Sequence, residues 1–516
     1  MSSNRAPVLG SVLAVTTGAL VLSACGPAEP PAPRPAPSSV IASEVASGSA
    51  SGTATSGPGS SATPQGSSGS PASSTAASST AAASAAPAAP RAPRPASERP
   101  SATFKRPPGP NKIQWERVFA TYGKLLDMDD ILDDYHYRYP EKTRLTTIAT
   151  THQGRNVRAL LITADPEKAH TLPSVLLNAA HHGDEPLSAL IVLDAMETLL
   201  AGSSTDPRMK RLLSELAIWC VPLVNPDGFH THLHDFGAGR KNGRATTDRD
   251  GKKLGIRNRG VDLNRNYPFR WGFLREAGSR SKSEFRSYRG PEPASEPEVK
   301  ALVTLSDREH FVASLSYHTG TVALLAPYTI DGVPSPQPNE AWLVAEHVAR
   351  GLRGTGDRPV YVLRNLYPVD GTDQDYHRGA HGTLALLFEA SARDWEDPPK
   401  VKQTLEGVRP AWSRLFDRYL DGPSVEGHVH DAAGKPITAD VQVVEVKTRA
   451  GESWKTRCPD GFFGRYLPAH GKYTIRVTPT GGAPIDTAVE VTEAKGRVSV
   501  DIVVPAGAQG VCPAGE

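Results

Sequence analysis

Four apolar runs, each ending on a polar residue, constrain this chain more than any other feature. Val175-Leu-Leu177 leads into His181-His182, Ala217–Val224 into Asn225-Pro-Asp-Gly228, Phe311–Tyr317 into His318, and Leu384–Phe388 into Glu389. Strands that are apolar on both faces need cover on both faces, so these runs predict a sheet sandwiched between helices, an α/β class. Helical segments fall between them. Ala189–Leu200 follows Pro186, which suits a first helical turn, and Ser295-Glu-Pro-Glu298 has the spacing of a capping box. Open sheets of this kind hold ligands beyond the carboxyl ends of their strands. Three separate runs deliver His182, His318 and Glu389 to that position.

Around the first of these ends, His182 and Glu185 are three residues apart, a spacing that lets an imidazole and a carboxylate converge on one cation. His181, four before Glu185, fits the same argument. Spacing alone leaves the choice open.

Elsewhere the chain changes texture twice. Residues 26–108 are almost entirely Ser, Ala, Pro, Gly and Thr. Such a segment buries too little apolar surface to offset its entropy, so a disordered tether is expected, with a reach on the order of 50 Å. Ahead of it, Arg5 and the apolar segment Val8–Leu22 have the parts of a secretory signal. From Trp115, Phe119, Tyr122 and Leu125 a helical pattern begins, and a second helix is expected over Met128–Tyr139. Leu145–Thr151 and Val157–Thr163 read as strands. After about residue 422, short alternating runs (Val425–His430, Val441–Val446, Phe462–Leu467, Tyr473–Val477, Ala488–Val491, Val498–Val504) predict a small β-sandwich. Lys and Arg number 57 against 55 Asp and Glu, so charge gives no reason to expect a nucleic-acid partner. Of the four cysteines, Cys458 and Cys512 could pair in an oxidising compartment, and Cys220, inside an apolar run, reads as a core thiol.

Five motifs then occur in one order: His182-Gly-Asp-Glu185, Asn225-Pro-Asp-Gly228, Val261-Asp-Leu-Asn-Arg-Asn-Tyr267, Ser316-Tyr-His318 and Phe388-Glu389. Together they resemble the zinc metallocarboxypeptidases of the carboxypeptidase A/B family over roughly residues 110–420. The resemblance implies a mixed, mostly parallel sheet flanked by helices in a catalytic domain at 109–422, and one Zn2+ held by His182, Glu185 and His318. It implies Asp262 as the partner that orients His182, Glu389 as general base, and Arg240 as the group that polarises the scissile carbonyl. Arg244, Arg257 and Arg259 compete for that last role in a basic loop. Asn264 and Arg265 would take the substrate's terminal carboxylate, Tyr367 would close over the substrate, and Gln374 would floor the side-chain pocket. Thr329 stands where some relatives carry a pocket acid, and Asp331, Asp370 and Asp373 are substitutes for it.

Two further resemblances concern the ends. Leu22-Ser-Ala-Cys25 resembles a bacterial lipobox, implying a signal peptide at 1–25, lipidation of Cys25 and an envelope location facing the periplasm or the exterior. Val425–Pro436 resembles the start of a transthyretin-like sandwich, here 423–516, in which His428 and His430 read as surface residues. The expected activity is removal of C-terminal residues from peptides or proteins by a monomer. A murein-peptide or side-chain amide hydrolase with the same metal site, and a non-catalytic surface binding protein, are the competing expectations.

Overall fold

The computed structural model describes residues 128–235, 238–392, 398–458 and 460–505. The expectations for Cys25, the tether, the helix from Trp115 and the partner Cys512 lie outside them. Cys458 is disulfide-bonded.

Among the described residues, ten strands precede residue 390: β1 Thr143–Thr150, β2 Asn156–Ile162, β3 Ser174–Ala179, β4 Ala217–Val221, β5 Ala313–His318, β6 Ala323–Leu325, β7 Arg353–Gly354, β8 Arg358–Pro359, β9 Tyr361–Leu363 and β10 Leu384–Glu389. All except the β7–β8 hairpin join one sheet in the order β1-β2-β4-β3-β5-β10-β6-β9. The four apolar runs are its parallel centre, β4-β3-β5-β10, and antiparallel strands flank it.

Period-two alternation explains why these runs are apolar nearly throughout. Val175, Leu177 and Ala179 face one core with the helix Pro186–Gly202, while Leu176 faces a second core with the helix Pro297–Glu309. Both faces are dry. The helix Pro186–Gly202 is buried around nearly its whole circumference, which marks it as a core helix. No single helix among the described residues is long and apolar enough to cross a membrane.

Two local expectations need correction. β4 stops at Val221 rather than Val224, because Pro222 has no N–H for the ladder. The N–H groups of Val224 and Asn225 instead donate to Ala179 O and Ala180 O, each at 3.0 Å. No capping box forms at Ser295, where the N-cap is Glu296, without a side-chain cap bond. Ser295 Oγ donates to Glu296 Oε1 (2.7 Å), and Asn266 Oδ1 accepts from Glu296 N (3.1 Å).

Two of the five motifs cross at their glycines. A Cβ on Gly183 would lie 2.1 Å from Phe229 N and 2.2 Å from Gly228 C, and one on Gly228 would lie 2.3 Å from Gly239 O. Backbone, not a flexible side chain, occupies that space. Gly183→Ala is therefore expected to destabilise the fold by about 3 kcal/mol or more, as overpacking against fixed atoms does. Denaturant titration measures this, and an unchanged midpoint would refute the close crossing.

Beyond the helix Pro410–Leu420, two small sheets enclose a separate core. β11 (Ser424–Asp431) pairs with β13 (Phe462–Tyr466), β16 (Arg497–Ser499) and β17 (Ile502–Val504), and β14 (Gly471–Pro479) lies between β12 (Ala439–Val443) and β15 (Ile485–Val491). Val425, Val429, Val441, Ile475 and Ile502 fill the space between the sheets. The run Val498–Val504, expected as one strand, is two. Val500 O sits where a Cβ of Gly427 would be, at 1.7 Å, so the chain breaks its ladder there.

Candidate metal centre

The sheet's register assembles the site. Ala179 of β3 lies opposite Tyr317 of β5, Tyr317 opposite Phe388 of β10, and His318 opposite Glu389. The ends of three parallel neighbours are thus level, and the residues leaving them converge at one edge.

At the end of β3, Ala180 adopts φ 55°, a left-handed conformation that costs a residue with a Cβ about 1–2 kcal/mol. Its N–H donates to Ser188 Oγ (3.2 Å) in the helix that follows. After this turn the two adjacent histidines have different partners. His181 Nε2 is bonded to Tyr267 Oη (2.7 Å), and its ring stacks on that of His318 at 5.5 Å. Burial pushes its pKa down to about 3, so it stays neutral. His182 meets Glu185 instead, Nδ1 to Oε1 at 2.7 Å, and His318 Nδ1 lies 2.9 Å from Glu185 Oε2.

His182, Glu185 and His318 are all buried, with donor atoms within 4.8 Å of one another. The two Nδ1 atoms are 3.2 Å apart. Two imidazole nitrogens and a carboxylate aimed at one point in a buried place are the donor set of a zinc site with an open position. Burial alone would raise the Glu185 pKa, but the imidazoles of His182 and His318 outweigh it and hold the carboxylate ionised. Burial lowers the pKa of His318 and favours the neutral, ligating form. These residues fit a zinc ion.

Behind His182 stands Asp262. Its Oδ1 is 3.2 Å from His182 Nε2 and also accepts from Asn264 N (3.1 Å), while Oδ2 accepts from Arg240 Nε (3.0 Å) and Nη2 (2.9 Å). A proton held on Nε2 leaves the Nδ1 lone pair facing Glu185. Arg240 is buried, with Nη1 3.9 Å from Glu185 Oε1. Of its competitors, Arg244 pairs with Glu296 at 3.0 Å, Arg257 is exposed and Arg259 half-buried.

Arg265 is buried, and its Nε makes no hydrogen bond. Its Nη1 donates to Asn264 O (2.6 Å) and its Nη2 to Tyr367 Oη (3.4 Å). Tyr367 is 54% exposed, so it is not a core tyrosine. Gln374 Nε2 donates to Thr329 Oγ1 (3.2 Å), while its Oε1 is buried and unbonded. The three substitute acids all have partners. Asp331 accepts from Asn365 (3.0 Å), Asp370 from Ser279 (2.5 Å) and Leu274 N (2.7 Å), and Asp373 is paired with His377 (2.9 Å).

Several neighbours had no signal in spacing. Thr319 N donates to Glu185 Oε2 (3.1 Å), and Asn225 Nδ2 donates to His181 O (3.0 Å) and Arg240 O (3.2 Å), tying two motif loops together. Cys220 is a buried free thiol.

Carboxypeptidase A6 of Mus musculus is 28% identical over 281 residues, 53% of this chain and 61% of that protein, so the chain spans under two thirds of that relative. Metallocarboxypeptidase A of Trichophyton tonsurans is 25% identical over 313 residues, 57% of this chain and 71% of that protein. Among solved structures, carboxypeptidase A from Helicoverpa armigera is 22% identical with a TM-score of 0.47, covering 57% of this chain and 72% of that one. The model of the zinc carboxypeptidase family matches residues 128–408, more than half of the 516, and the chain belongs to that family.

Proposed function

We propose that the chain is a zinc-dependent carboxypeptidase that hydrolyses the C-terminal peptide bond of peptides or proteins. The observation that carries this reading is the convergence of buried His182, Glu185 and His318 at the edge where Glu389 lies opposite His318. Bound zinc would supply a Lewis acid and lower the pKa of water. Glu389 takes the proton of the attacking water and returns it to the leaving amine. Arg240, held by Asp262, offers its guanidinium to the carbonyl oxygen as charge develops there. Arg265, with Asn264 beside it, receives the terminal carboxylate, a task suited to a guanidinium fork. Tyr367, exposed and within reach of Arg265, covers the bound residue, whose side chain points to Gln374.

The test is the release of C-terminal amino acids from a broad peptide panel by zinc-loaded protein. No release from any peptide would sink the reading. Release confined to cell-wall peptides would narrow it to murein hydrolysis. Asp262→Asn is expected to weaken zinc binding by about 10–100-fold, the usual effect of removing a partner that orients a ligand. Competition with a chromogenic chelator measures it, and an unchanged affinity would show that Asp262 does not hold His182.

The lipobox-like Leu22-Ser-Ala-Cys25 supports a further proposal, that Cys25 carries a lipid and residues 26–108 tether the enzyme to a membrane. The alternating strands after residue 422 support a transthyretin-like module.

A further inference from the structure

The loop that carries Thr329 is held from the C-terminal sandwich. Gln337 and Lys447 form an antiparallel bridge, Gln337 N donating to Lys447 O (3.1 Å) and Lys447 N to Gln337 O (2.8 Å). Five residues on, Glu452 is buried and accepts from Tyr328 Oη through Oε1 (3.0 Å) and from Ala450 N through Oε2 (2.7 Å). Ala450 packs against the small core of Tyr328, Ile330 and Val333.

Tyr328 is fully buried, stacked on Phe269 at 5.1 Å, and adjacent in sequence to Thr329. Thr329 Oγ1 accepts from Gln374 Nε2 (3.2 Å), and Thr329 N donates to Asp375 Oδ1 (2.9 Å). An unbroken path therefore runs from Glu452 through Tyr328 and Thr329 to Gln374. It leaves Gln374 Oε1 as a buried acceptor with no partner.

We infer that the C-terminal sandwich is part of the specificity apparatus: Glu452 is a positioning residue that sets Thr329 and Gln374 through Tyr328. The oriented Gln374 Oε1 then selects C-terminal side chains that end in a hydrogen-bond donor. This rests on the carboxypeptidase reading and extends it to the pocket. The reacting atoms lie elsewhere, at Glu389 and the metal ligands, so the effect belongs in binding rather than in the chemical step.

Full-length zinc-loaded enzyme tests this with peptides that differ only in the last residue, comparing Gln, Lys and Arg with Leu and Phe. Wild type is expected to favour the donor-bearing residues. Tyr328→Phe deletes the hydroxyl and keeps the stacked ring, and Glu452→Ala removes the acceptor. Each is expected to raise KM for the preferred residue about two- to tenfold, the scale of one hydrogen bond, with kcat nearly unchanged. Glu452→Gln, which can accept from Ala450 N and donate to Tyr328 Oη, should restore most of the preference. Amide exchange over residues 326–333 should quicken in Tyr328→Phe and not in Glu452→Gln. Equal losses for all C-terminal residues, or variants that match wild type, would overturn the inference. So would a wild-type preference for Leu and Phe. If Glu452→Ala does not fold, Tyr328→Phe alone decides. A wild type that releases nothing refutes the carboxypeptidase reading instead, and exchange over 326–333 still reports whether Glu452 holds the loop.

Discussion

Glu389→Gln is expected to bind zinc as wild type does and to lose about 10²–10⁴-fold in kcat, the range for removing a general base. The substitution keeps shape and hydrogen-bonding capacity but cannot accept a proton at neutral pH. Glu389 sits at the last position of β10, opposite His318 in the parallel register, which places it beside the metal ligands without making it one of them. Metal content should therefore be unaffected while turnover falls. Steady-state kinetics on the best peptide, with zinc measured on the same sample, separates the two. Turnover at the wild-type level would place the base elsewhere.

The adjacent histidines give the second large effect. His182→Ala removes one of three ligands and should weaken zinc binding by more than the roughly 10–100-fold that follows the loss of an outer partner. Purified protein should then hold little metal after dialysis. His181→Ala should keep one zinc per chain, because His181 is bonded to Tyr267 rather than aimed at the cation position. Its loss removes that bond from the buried phenol, which keeps Asp373 as a partner, and empties the space of a buried ring, so a stability loss of about 1–3 kcal/mol is expected instead. The opposite pattern, with His181→Ala empty and His182→Ala loaded, would show that the ligand register is shifted by one residue.

Much of the fold was legible because the sheet's centre is buried on both faces. Val175 and Leu177 serve one core and Leu176 the other, so Val175-Leu-Leu177 is apolar without a break and the strand announces itself. Boundaries were less legible. β4 ends where Pro222 cannot donate, and the run Val498–Val504 breaks where Val500 O meets Gly427. The Ser295 box failed because its two side chains have other partners: Ser295 Oγ accepts from Asn266 Nδ2 and donates to Glu296, and the Glu298 carboxylate accepts from Asn242. A local motif loses when distant side chains offer its groups partners first.

The candidate site divides in the same way. Its residue types and strand-end positions follow from local sequence, since a polar residue after an apolar strand must leave the core at the sheet's edge. What spacing could not decide is which imidazole turns inward, because that depends on the left-handed turn at Ala180 and the waiting hydroxyl of Tyr267. It could not tell which arginine of a basic loop lies at the site, where the structure pairs Arg240 with the buried carboxylate of Asp262. Nor could it connect Glu452 with Gln374, which lie far apart in sequence and are linked through Tyr328 and Thr329. By itself the sequence determined the α/β class, the two-faced strands and the chemistry carried to their ends, because hydrophobic period and residue type act locally. The tertiary structure alone decided orientation and partnership, because each is a contact between residues tens to hundreds of positions apart.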